Sequence, residues 1–173
     1  MKRFCAWKTT FSVFSVAVAT MGSAFAEKSE VSGDVFLTVT KRTAAMSPHN
    51  TGESFSITES TGLLKQKSGS NRVLDGAQVI SVGTADVTKG NGVGSSWGAY
   101  NQAGGSAYLH ASSEIKTETG GDSKPMTTVS GKYEVVGGTG NLANLKGAGD
   151  FTVETTSPTT QTLHYSGWLD QGQ

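Results

Sequence analysis

The chain has 173 residues, with 14 Lys/Arg balanced by 14 Asp/Glu, 23 Gly, 3 Pro and a single Cys. A balanced charge without basic clusters argues against nucleic acid as a partner, because phosphate binding needs several Lys or Arg gathered together. One Cys excludes an internal disulfide framework and a thiolate metal site.

In chain order, the first segment stands apart. Lys2, Arg3 and Lys8 precede the apolar run Phe11–Met21, and Ala24-Phe25-Ala26 follows it. A basic start, a short apolar stretch and a small-x-small end describe a cleaved secretory signal peptide over residues 1–26. The apolar run falls well short of the roughly 20 residues that a spanning helix needs. Cys5 leaves with the signal. The expectation is a secreted or periplasmic protein of 147 residues, with 11 Lys/Arg against 14 Asp/Glu and no membrane span. That length suits one domain, residues 27–173.

The rest reads as strand almost throughout, with Thr, Val, Ser and aromatic residues alternating between Gly, Asn and Asp punctuation. Asp34–Lys41 is the first strand, and Thr43–Gly52, with Pro48, reads as a loop. Glu53–Glu59 puts Phe55 and Ile57 on one face, and Lys65–Asn71 reads as a solvated loop. Arg72–Thr88 is long for one strand, with Gly76 and Gly83 as sites for bends or bulges. Lys89–Gly94 is a turn and Ser95–Asn101 a strand carrying Trp97 and Tyr100.

Ser106–Lys116 alternates cleanly: Leu109, Ala111 and Ile115 share one phase, and His110, Glu114 and Lys116 the other. Thr117–Met126 is polar and reads as a loop. Gly131–Gly138 puts Tyr133 and Val135 together, Gly147–Thr155 pairs Phe151 with Val153, and Gln161–Asp170 sets Leu163, Tyr165 and Leu169 opposite His164 and Trp168. The fold class is all-β. About eight antiparallel strands suit a small closed barrel, whose interior holds side chains or one small ligand. A two-sheet sandwich is the alternative.

The most distinctive stretch is Gly137-Gly138-Thr139-Gly140-Asn141-Leu142-Ala143-Asn144-Leu145-Lys146-Gly147. Its glycines let the chain leave one strand and enter the next through conformations closed to other residues. Leu142 and Leu145, three apart, face one way on a helical turn and can plug an apolar end. With Gly131, Tyr133 and Phe151, this pattern resembles the allene oxide cyclase and dirigent proteins and related secreted bacterial barrels. The resemblance implies an eight-stranded antiparallel barrel with an apolar cavity, which the plant members use to bind reactive hydrophobic intermediates. It carries over no catalytic residue.

Other constellations carry less. Gly94-Ser95-Ser96-Trp97-Gly98 matches G-x-S-x-G, but no helical pattern follows it, as a nucleophile elbow requires. His49, His110 and His164 are far apart in sequence, and the latter two sit in the polar phase of their strands, so no metal site and no cofactor is expected. The glycine segment lacks the Lys-Ser/Thr of a phosphate loop. Alternate apolar residues set strand register by burial. The interior is therefore expected to hold Leu109, Ala111, Tyr133, Val135 and Tyr165, the candidate ligand-binding residues, with His110 and His164 outside. A module binding a small apolar molecule is the first reading. A cyclase-like enzyme in the same cavity, or an interaction protein with a filled core, are the alternatives, and no oligomeric state is assigned.

Overall fold

The computed structural model describes residues 28–49, 51–119 and 125–172; the signal peptide expected over residues 1–26 lies outside them. Eight strands form the fold: β1 (Ser29–Met46), β2 (Glu53–Ser68), β3 (Gln78–Thr88), β4 (Asn91–Gln102), β5 (Gly105–Thr119), β6 (Pro125–Gly138), β7 (Lys146–Ser157) and β8 (Thr160–Asp170). Each pairs antiparallel with its sequence neighbours, and β8 closes on β1 through Ser29↔Leu169 to Thr38↔Thr160. The all-β barrel is therefore closed. Closure pairs the body of each strand on both sides, and only strand ends such as Lys41–Met46 of β1 extend past their second neighbour.

Several strands outrun their apolar cores. β1 continues to Met46 and β2 through Lys65–Ser68, segments that composition alone reads as loops. Both pair along their length, since Met46 faces Ser54 and Ser32 faces Ser68. A polar rim costs a paired strand little, because the ladder satisfies the backbone while the side chains stay in water. Conversely, β3 begins only at Gln78, and Val73–Gly76 is a turn. The β3–β4 turn is just Lys89-Gly90, with φ of 51° and 83°. Two successive positive φ values are the hairpin geometry that matches strand twist. Gly83 sits in unbroken register opposite Thr58 and Ser96, so it makes no bulge.

One end of the barrel is plugged. Leu142, in the 3-10 turn Gly140–Leu142 between β6 and β7, and Leu145, just after it, each 3% exposed, enter it. Leu74 and Ala77 join them from the β2–β3 connection, which buried Gln66 ties down by donating to the carbonyls of Ser68 (3.0 Å) and Asn71 (2.6 Å). Gly140 takes φ 57°, where a side chain is strained. Gly138 is needed for a different reason: a Cβ there would collide with the Leu142 carbonyl. The corner is structural, as its sequence suggests.

Candidate functional site

The strands turn one phase inward around a cavity of about 280 Å³. Near the plug its wall is apolar: Val35 and Leu37 from β1, Leu109 and Ala111 from β5, Phe151 from β7 and Leu163 from β8. Three tyrosines stand among them. Tyr133 and Tyr165 meet edge-to-face with ring centroids 6.2 Å apart. Both rings lie close against wall glycines: a Cβ on Gly33 would come 2.8 Å from the Tyr165 hydroxyl, and one on Gly167 2.7 Å from that of Tyr133. The glycines thus let large aromatics sit back in the wall and leave the lumen open. Tyr100 lies over Gly98 in the same manner.

Burial governs the phenols. It pushes Tyr100 up to about 12, with the neighbouring Tyr133 adding to it. Burial, and then the charge of Asp150, pushes Tyr133 up to about 12 as well. Tyr165 moves in the same direction, again chiefly through burial. All three are neutral donors at physiological pH. The hydroxyls of Tyr133 and Tyr165 are buried without a protein hydrogen-bond partner among the described residues.

Towards the opposite end the wall becomes hydroxylated. Ser56, Thr58 and Ser60 of β2, Ser81 of β3, Ser96 of β4 and Ser113 of β5 line it, with Gln161 and Arg42. Phe55 and Ile57 point outward, 47% and 40% exposed. On β2 alternation marks a strand, yet the polar phase is the inner one. Of the five residues named from sequence, Leu109, Ala111, Tyr133 and Tyr165 are brought together on the cavity wall. Val135 also faces the core, packed towards Gly147 and away from the lumen. Arg42 carried no sequence signal. Strict alternation from Val35 and Leu37 would have turned Lys41 inward instead.

The histidines lie on the outer surface. His164 Nδ1 bonds Asp34 at 2.8 Å, and Lys67 reaches the other oxygen of that carboxylate at 2.7 Å. Burial works against a charged Asp34, which is only 6% exposed, but these two partners outweigh it and hold its pKa below the ordinary value. His110 packs on Trp97 and bonds Ser95 Oγ at 3.1 Å, with Glu134 3.6 Å from its other nitrogen. This is a triad in residue types alone. The 3.6 Å gap is too long for a hydrogen bond, and the flanking ladders engage the backbone N–H groups that an oxyanion hole would use. Ser96, the serine of the G-x-S-x-G match, faces the cavity from within a strand. Among the described residues no three His, Cys, Asp or Glu side chains cluster as metal ligands would, and no helix is long and apolar enough to cross a membrane.

No protein-family model matches the chain, and no curated protein sequence is similar to it. A solved structure of a pterocarpan synthase dirigent protein is similar, with a TM-score of 0.47 and 12% identity over 95% of this chain and 98% of that one. No residue role passes from it to this chain.

Proposed function

We propose that the protein, once exported, holds one small apolar molecule inside the barrel, against Leu109, Ala111, Tyr133 and Tyr165. The observation that carries this reading is the unfilled lumen. A lumen of about 280 Å³, open at one end, leaves the Val, Leu, Phe and Tyr of its inner wall facing water unless an apolar molecule occupies it, and apolar surface is favourably removed from water. Its size approaches the lower range of small-molecule sites, which are mostly apolar with a few placed polar groups.

The wall's polar groups are hydroxyls, an amide and a guanidinium, and none of the described lining residues is Asp or Glu. That supports holding a ligand over carboxylate acid–base work on it. The test is titration with a fluorescent apolar probe. One probe per barrel should bind, and Ala111→Phe, which fills the lumen, should weaken binding at least about 10-fold, the equivalent of about 1.4 kcal/mol. Equal affinity in the folded variant would refute the reading.

A further inference from the structure

The cavity has a direction. Leu74, Leu142 and Leu145 plug the end where β1 begins, and the lumen runs from there towards the end where β1 finishes. At that far end stands Arg42, opposite Thr58 and beside Ser56 on the inner face of β2.

Its position results from a bulge. Val39 pairs with Ser60 and Lys41 with Glu59, so Thr40 is an extra residue on β1. The insertion reverses the phase of everything after it. Lys41 swings outside and meets Glu59 at 3.4 Å, while Arg42 takes the inward position. Bulges re-aim side chains next to binding sites and bend the strand that carries them. Here the bulge places a permanent positive charge, itself exposed, at the hydroxylated open end of the cavity wall. No described ion pair engages Arg42, and no described acid lines the cavity with it. The nearest inward groups on β2 are the hydroxyls of Thr58 and Ser56, which can donate to the same anion.

We infer that the ligand is an anionic amphiphile: an apolar body in the Leu–Phe–Tyr chamber, and a carboxylate or similar anionic head at Arg42 and Thr58. This rests on the cavity-binding reading and adds the ligand's charge and orientation. A planar guanidinium suits a carboxylate because two parallel N–H groups match its two oxygens.

The experiment compares decanoate with decanol, which share an alkyl chain, by calorimetric titration of the wild-type barrel, Arg42→Gln and Lys41→Gln. Decanoate should bind about 10-fold more tightly than decanol, the scale of one charge-assisted hydrogen bond in a partly wet site. Arg42→Gln should abolish that preference, while Lys41→Gln, on the outer face, keeps it. Equal affinities in the wild type, or a preference that survives Arg42→Gln, would overturn the inference while leaving the cavity reading intact. Binding of neither compound would overturn both.

Discussion

Leu142→Ala tests whether the plug holds the barrel shut. Leu142 is 3% exposed and reaches the core from a turn of only three residues. Removing three carbon groups forfeits about 2.4 kcal/mol of transfer free energy, at roughly 0.8 kcal/mol each. A residual void adds to that, but the turn lies at a barrel end and can settle inward, so the expected cost is about 3 kcal/mol, in the lower part of the buried Leu→Ala range. With a urea slope of about 2 kcal/mol/M, the midpoint should fall by about 1.5 M. For a domain near 150 residues the melting temperature should drop by roughly 9–12 °C. Urea melts followed by tryptophan fluorescence read this directly, with Asn141→Ala, exposed on the same turn, as the control. A midpoint shift under about 0.3 M would mean that Leu142 does not close the barrel.

Three further outcomes follow from the same structure. Asp34→Asn should cost about 2 kcal/mol by breaking charge-assisted bonds to His164 and Lys67. Because the folded pKa of Asp34 is depressed, its contribution is complete above the unfolded value near 3.8 and is lost as pH falls through the folded one, so the variant should show a flatter acid limb below about pH 4 in urea melts at stepped pH. Tyr100, Tyr133 and Tyr165 should stay un-ionised at about pH 11 in an ultraviolet titration. The stability they add is complete below their unfolded value of 10.0 and is lost as pH rises towards 12, so phenolate absorbance and unfolding should appear together. Ile80→Thr, at a site 55% exposed on the outer face, should change stability by no more than about 0.5 kcal/mol in the same melts.

Much of the fold was legible in the sequence because strand alternation is local. Leu109/Ala111/Ile115 on β5 and Leu163/Tyr165/Leu169 on β8 do face inward: near the plug burial decides the phase, and unbroken alternation carries it along β5 to Ile115 at the open end. On β2 the same logic fails. Its inner phase is Ser56, Thr58 and Ser60, and Phe55 and Ile57 lie outside, because that part of the wall borders open lumen. A hollow barrel has two surfaces without packed neighbours, so apolar character alone cannot tell them apart. Arg42 was hidden for another reason. Its orientation depends on one inserted residue, Thr40, and nothing in the local composition distinguishes a bulged strand from a regular one. Strand ends were missed where polar residues keep pairing: Lys65–Ser68 looks like a loop by side chain and is a ladder by backbone. The Gly138–Gly140 corner was readable for another reason: close backbone approach at Gly138 and a φ of 57° at Gly140 demand glycine whatever lies around them.

The central claim is an occupied interior, and native mass spectrometry of the protein purified from the cells that make it tests it most directly. The account predicts a mass above that of the chain by one small organic molecule per barrel, lost on unfolding and absent from Ala111→Phe. A barrel that flies at the bare polypeptide mass, and stays there after incubation with excess decanoate or decanol, would contradict it.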